Sequence, residues 1–303
     1  MALTTKTIEK LRVDIKHVLN HKLNWQIEEI NLIGSGVINA VFLIHEKNLG
    51  RLAVRTPWRL EENMMDKNSS GIISLKKEAV ISEHCHKYHI PVPKIHQLYF
   101  SKEINFIVSD FVAGDGQDIP PYDIGELISK IHKIPLHGLS IADQNEQRLS
   151  KIVSQRITER VDSLNKLINS NFIIPSSQEL EEILNTAQTK NSLLHLDVRQ
   201  PNLIGENGMI NAIIDWDNSF IGNPIMELMR IFETKELNEE EFIKGYKDVD
   251  IIQNTNAIIQ CIYRLDTALM LSILFTSFIN DSEKRNYYLK RVHNLTKEIT
   301  NHL

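Results

Sequence analysis

The sequence predicts an α+β chain in which a small antiparallel sheet comes first and a mostly helical region follows. Three observations carry that expectation. Short strand-like runs separated by glycine turns dominate before residue 113, a Gly114-Asp115-Gly116 and Pro120-Pro121 break follows, and helical periodicity covers most of the rest. The 303 residues are 42% hydrophobic and 24% charged with net charge −5, a composition that suits a core of about two domains. The mild acidity offers no electrostatic footprint for nucleic acid or acidic lipid, so neither is expected as a partner. Cys85 and Cys261 are too few and too far apart for a disulfide framework, which suits a reducing, cytoplasmic setting.

Element by element, Ile8 to Leu23 has apolar Leu11, Ile15, Val18 and Leu19 on helical spacing. Residues 27–33, 40–45 and 51–56 read as three strands, separated by Gly34-Ser35-Gly36 and by Lys47-Asn48-Leu49-Gly50. A helix is expected from Ser74 to Lys87, stopped by Pro91 and Pro93, and strands at 94–99 and 105–112. Helices follow at 122–132, 147–169, 178–189 and from about 239 onward. Asn202-Leu203-Ile204, the turn Gly205-Glu206-Asn207-Gly208 and residues 209–216 read as a β-hairpin, because Asn-Gly suits a type I′ turn. The apolar run Ala257 to Phe278 is interrupted by Arg264 and Asp266, so it is expected as a buried helix and no membrane partner is expected.

The chemistry concentrates in Leu193-Leu194-His195-Leu196-Asp197-Val198-Arg199-Gln200-Pro201-Asn202, followed by Ile213-Ile214-Asp215-Trp216-Asp217. Phosphoryl transfer needs a carboxylate that orients a hydroxyl and takes its proton, plus an amide oxygen and a second carboxylate to hold magnesium. A tight hairpin can return Asp215 toward Asn202 across the intervening residues. A metal-dependent hydrolase built on His195, Asp197, Asp215 and Asp217 is an alternative, but it leaves the glycine turn of the front sheet unexplained.

These segments resemble the aminoglycoside phosphotransferase and choline kinase group, which shares the two-lobed protein-kinase-like fold. The resemblance covers roughly residues 25 to 235 and is most specific at 193–227, where Gly222-Asn223-Pro224 and Glu227-Leu228 continue the pattern. It implies a nucleotide-binding lobe over 1–108, a hinge at 109–116 and a helical catalytic and substrate lobe over 117–303. It also implies ATP and Mg²⁺ as cofactors, Asp197 as the catalytic base, Asn202 and Asp215 as magnesium ligands, and His195 as a brace for the loop. Gly34, Ser35 and Gly36 resemble a phosphate-binding loop, although a G-x-G between strands is also what a plain hairpin turn looks like. Arg55 stands where most kinases have a lysine for the α/β-phosphates, and an exposed strand-end charge is the other reading. Glu78 resembles its helix partner, with Lys76, Lys77 and Glu83 as rivals, and Ser109 and Phe111 resemble the hinge contacts to adenine.

Two residues depart from the family's pattern. Leu196 replaces a glycine common in the antibiotic kinases, so the backbone there need not adopt the same conformation. Arg199 resembles the catalytic-loop lysine of protein kinases and would stabilise the transferred phosphate, or else form a surface salt bridge. His84, His86 and His89 do not face one way on a helix, and His132 sits on an apolar helical face as a core histidine would. The resemblance implies a small-molecule kinase, a monomer or weak homodimer, whose acceptor carries a hydroxyl. An aminoglycoside or other cationic antibiotic fits the net acidity. A metabolite such as choline or a hydroxy amino acid, and a non-catalytic nucleotide-binding pseudokinase, are the alternatives.

Overall fold

A computed structural model describes residues 3–59, 70–144, 147–187 and 190–302. These fall into two compact units: residues before 60, residues 70–117 and Leu203–Asp217 form one, and Asp118–Asn202 with Asn218 onward form the other. The expected helix from Ile8 begins as α1 (Thr5–His17), capped by Thr4, and continues as a π-helical turn over Val18–Lys22. Ile15, Val18 and Leu19 are buried against a five-stranded antiparallel sheet of β1 (Ile27–Ser35), β2 (Asn39–Glu46), β3 (Gly50–Pro57), β4 (Ile95–Phe100) and β5 (Asn105–Asp110). The spatial order β1-β2-β3-β5-β4 makes β3 the central strand. Between β3 and β4, α2 (Gly71–Lys87) starts at Ser70, whose hydroxyl accepts the Ile73 N–H, and packs on β3, β4 and β5. Alternation along β2 and β3 buries Phe42, Ile44, Leu52 and Val54, which form this unit's core with Phe106 and Val108.

The second unit is helical. It contains α3 (Pro121–Lys133), α4 (Leu149–Ile168) and α5 (Ser177–Asn185), the last opened by a capping box of Ser176 and Glu179. The expected end of α5 at 188–189 lies outside the described residues. A short strand β6 (Ser192–Leu194) precedes the motif loop. The hairpin of β7 (Leu203–Glu206) and β8 (Met209–Ile213) follows and groups with the first unit, where Ile213 N–H donates to Pro91 C=O at 2.9 Å. The chain then returns as β9 (Phe220–Gly222), which pairs with β6. The helices α6 (Pro224–Thr234), α7 (Glu239–Tyr246), α8 (Asp250–Gln253), α9 (Ala257–Ser277) and α10 (Ser282–Asn301) complete the unit.

α9 is long and apolar enough to cross a membrane, yet most of it is packed against α4, α6 and α10. Its two charged residues do not pair with each other. They are two positions apart, which turns their side chains about 200° from one another on a helix. Asp266 is fully buried and accepts Arg156 Nε at 3.0 Å, Arg156 Nη2 at 2.8 Å and Arg160 Nη1 at 2.6 Å, both arginines coming from α4. Arg264 reaches Glu233 at 3.3 Å instead. Burial raises the Asp266 pKa, but the Arg156 and Arg160 guanidiniums outweigh it and bring the value down to about 2. Asp266→Asn would leave two buried guanidiniums without their shared carboxylate. We expect a loss of about 3–5 kcal/mol in urea unfolding at pH 7. Because the folded pKa is depressed, this contribution is complete above about pH 4 and fades as pH falls toward the folded value. A loss below about 1 kcal/mol at pH 7 would refute the assignment.

Candidate active site

In the first unit, Arg55 lies on the central strand β3, opposite Val41 on β2 and Ile107 on β5. It is not an exposed strand-end charge. Its Nη1 donates to Asp215 Oδ1 at 2.8 Å, its Nη2 donates to Asp217 Oδ1 at 2.7 Å, and Glu78 Oε2 lies 3.5 Å away. Burial disfavours the Arg55 cation, but Asp217, Glu78 and Asp215 together raise its pKa. Among the rivals of Glu78, Lys76 and Glu83 are exposed, whereas Lys77 is buried and acts on Asp217. Glu78 also steadies the chain beyond Arg55. Its Oε2 accepts the Trp216 N–H at 2.9 Å, which fixes the backbone directly after Asp215.

Asp217 belongs to this cluster although its spacing in the sequence assigns it no place there. Besides Arg55 it accepts the hydroxyl of Ser74 and, at 3.1 Å, the amide of Asn39. Burial raises its pKa, and Arg55 and Ser74 more than reverse that and hold it below the usual carboxylate range. Asp217 is thus the anchor of the Arg55 guanidinium. Asp215 is more open, its side chain 35% exposed. The expected strand up to Trp216 ends at Ile213, because Asp215 turns into left-handed backbone at φ 69°. An aspartate tolerates that region better than most residues.

Gly34 and Ser35 close β1, and the turn to β2 is held by a Gly36 N–H to Asn39 C=O bond of 2.8 Å. A methyl group added at Gly34 would meet nothing within 4 Å, and at Gly36 only the Asn39 carbonyl at 4.0 Å. Neither glycine has a positive φ. Packing within the chain therefore does not demand glycine at either position. Ser109 pairs with Ala53 at the end of β5, and the Phe111 ring just beyond lies under the Arg51 guanidinium at 4.3 Å.

In the second unit the motif loop holds Asp197, Arg199 and Asn202. Asn202 Nδ2 donates to the Asp197 backbone oxygen at 2.8 Å and to Asp197 Oδ2 at 2.7 Å. Arg199 Nε lies 3.3 Å from Asp197 Oδ2 and makes no hydrogen bond there. His195 is fully buried, and its Nδ1 accepts the Asp197 N–H at 3.2 Å, a brace rather than a metal ligand. Among the described residues no three His, Cys, Asp or Glu side chains gather as a metal cluster. His84 is buried in α2 while His86 and His89 are exposed.

The loop's conformation depends on Glu227 of α6, which the sequence marks only as part of the motif block. Its carboxylate accepts the Leu196 N–H at 2.5 Å and the His195 N–H at 3.2 Å, and it pairs with His132 Nε2 at 2.8 Å. His132 Nδ1 in turn meets the Tyr246 hydroxyl at 2.8 Å, so His132 is a satisfied core histidine. The sequence leaves the Leu196 backbone open, and the structure decides it. Its φ of 59° is the left-handed conformation that glycine favours. That backbone costs about 1–2 kcal/mol for a non-glycine residue. The leucine side chain is almost fully buried, and burying it contributes about 1.5–3 kcal/mol, enough to offset the strain. Glu239, Glu240 and Glu241 are an exposed helix start behind the Asn238 cap.

The sheet unit thus carries a glycine turn and an Arg55–Glu78 pair, and the helical unit carries an Asp197–Asn202 loop. Residues 29–251 match the model of the phosphotransferase enzyme family, and the chain belongs to that family. It is a phosphotransferase. No curated protein matches its sequence significantly. Among solved structures, a thermostable mutant of aminoglycoside phosphotransferase APH(4)-Ia in a ternary complex with AMP-PNP and hygromycin B superposes with TM-score 0.64 at 15% identity, covering 94% of this chain and 98% of that one. The ethanolamine kinase of Plasmodium vivax gives 0.61 at 15% identity, covering 94% and 88%. A choline/ethanolamine kinase family protein of Mesorhizobium loti gives 0.58 at 17% identity, covering 98% and 97%. These likenesses establish the protein-kinase-like fold.

Proposed function

We propose that this enzyme transfers the γ-phosphate of Mg-ATP to a hydroxyl of a small molecule, with Asp197 as the base. The observation that carries this reading is the motif loop, in which Asn202 holds the Asp197 carboxylate while buried Glu227 fixes the backbone around it. Asp197 orients the acceptor hydroxyl and takes its proton as the oxygen attacks phosphorus in line with the leaving β-phosphate oxygen. Arg199 stands beside that carboxylate, where a cation offsets charge on the phosphoryl oxygens. In the sheet unit, Arg55 receives the α/β-phosphates, and Glu78 and Asp217 hold its guanidinium ready. Gly34, Ser35 and Gly36 let backbone N–H groups approach phosphate, a role that explains glycines the chain's own packing does not require. Ser109 and Phe111 offer the backbone edge for adenine.

Each unit carries a donor of the kind magnesium takes. Asn202 uses its amide nitrogen on Asp197, which leaves the amide oxygen as a hard donor, and Asp215 in the sheet unit is a half-open carboxylate. Magnesium held by such donors would neutralise phosphate charge. Both cysteines are free and buried, which supports a cytoplasmic setting. For the acceptor, net charge alone leans toward a cationic antibiotic such as an aminoglycoside, with resistance as the role. Buried Arg230, whose hydrogen bond goes to a thioether, favours a carboxylate-bearing acceptor such as a hydroxy amino acid.

Mg-ATP at 100 times its Kd should stabilise the protein by about 2.7 kcal/mol in thermal unfolding. Gly36→Ala should leave the unliganded Tm unchanged and raise the KM for ATP. No stabilisation by Mg-ATP would refute the reading. Stabilisation without ATP consumption on any hydroxyl compound would favour a non-catalytic nucleotide-binding protein.

A further inference from the structure

Arg230 is a buried cation that the phosphoryl-transfer roles leave unused. It sits on α6 one helical turn after Glu227, and residues three apart on a helix share a face, the face here that carries the motif loop. Only 5% of its surface is open. Its hydrogen bond goes to a thioether, Met270 Sδ at 2.8 Å, and among the described residues it has no ion pair. A sulfur is a weak acceptor for a guanidinium. The nearest buried carboxylate of α9, Asp266, is already shared by Arg156 and Arg160. Burial lowers the Arg230 pKa, and the attraction of Asp197 and Asp266 does not restore it against the nearby Arg156 cation. A buried guanidinium in that state lacks an anion. Glu227, on the same face of α6, holds the backbone of the loop that carries Asp197, and Asp197 is first among the carboxylates acting on Arg230, so the missing anion belongs on the motif-loop side of α6.

We propose that Arg230 receives a carboxylate of the acceptor, making this enzyme a kinase of hydroxy acids rather than of cationic hydroxyl compounds. The inference rests on the phosphotransferase reading above. Guanidinium and carboxylate match in geometry, and a charge-assisted pair away from water is among the stronger polar contacts. An acceptor anchored this way leaves its hydroxyl free to meet Asp197. The nucleotide's own phosphate is the other source of an oxyanion near the base, and the test separates the two.

ATP consumption is measured on three matched pairs that differ by one carboxylate: glycerate and glycerol, gluconate and sorbitol, serine and ethanolamine. The expected result is turnover favouring the carboxylate-bearing members by about tenfold or more in kcat/KM. Arg230→Met should abolish that preference through the acceptor KM, with the ATP KM unchanged, and Arg230→Lys should keep part of it. The Lys variant retains the buried charge, so the proposal stays testable if the Met variant unfolds. Preference for the uncharged or cationic members overturns the proposal, as does a preference that survives Arg230→Met. A change confined to the ATP KM assigns the oxyanion to the nucleotide and also overturns it. Failure of all carboxylate-bearing members while Mg-ATP still binds overturns it too, whereas failure of Mg-ATP to bind removes the underlying phosphotransferase reading.

Discussion

Asp197→Asn is expected to lower kcat by about a hundred- to ten-thousand-fold while leaving Mg-ATP binding and the fold in place. The substitution is nearly isosteric. An asparagine oxygen can still accept the Asn202 amide that now reaches Asp197 Oδ2 at 2.7 Å, and the backbone contact at 2.8 Å does not involve the side chain. His195 and Glu227 engage the backbone of the loop, so its conformation does not depend on the charge at 197. What disappears is the proton acceptor. The loss should therefore fall on kcat, with the ATP KM and the unliganded Tm close to wild type. Single-turnover rates together with calorimetric ATP binding would check this, and a kcat within a factor of about three of wild type would remove Asp197 from the role of base.

The site's parts differ in how far the sequence disclosed them, and chain separation is the reason. Asp197 and Asn202 lie five positions apart on one loop, so one motif names both, while the bond between them appears only in the structure. Glu78 could not be told from Lys76, Lys77 and Glu83 by spacing; the packing of α2 on the sheet turns Lys77 and Glu78 inward, and only Glu78 carries the charge that pairs with Arg55. Asp217 gains its importance from Arg55, Ser74 and Asn39, partners more than a hundred positions away. The same holds for Asp266, whose arginines come from α4 while its sequence neighbour Arg264 serves Glu233. Leu196 left the backbone at its position open. A leucine argues against left-handed backbone in isolation, but Glu227 and a buried site for the side chain override that preference. The strands and helices, by contrast, were legible because their apolar periodicity is local and the sheet buries it directly. The hairpin's strands were legible too, whereas its grouping with the sheet unit depends on tertiary contacts such as Ile213 to Pro91.

Glu227→Gln is expected to destabilise the protein by about 3–5 kcal/mol at pH 7 and to reduce kcat as well. The carboxylate serves three donors: the backbone N–H groups of His195 and Leu196 and the ring of His132. A glutamine keeps one accepting oxygen and turns an NH₂ toward a second donor, so a buried donor is left facing another donor. Burial raises the Glu227 pKa, but His132 and the Leu196 N–H outweigh it and hold the group below the usual glutamate range. With a depressed folded pKa, its contribution to stability is complete above the unfolded value of about 4.3 and is lost as pH falls through the folded value. The gap between wild type and Glu227→Gln should thus be widest near neutrality and close in acid. Glu227→Asp keeps the charge but withdraws it by one methylene, and should fall between the two. For activity, the backbone around Asp197 loses its clamp, so kcat should drop while the ATP KM holds. Urea unfolding across the acid range would decide the first part. A variant within about 1 kcal/mol of wild type at pH 7, with kcat unmoved, would mean that the loop holds its left-handed turn at Leu196 without the carboxylate.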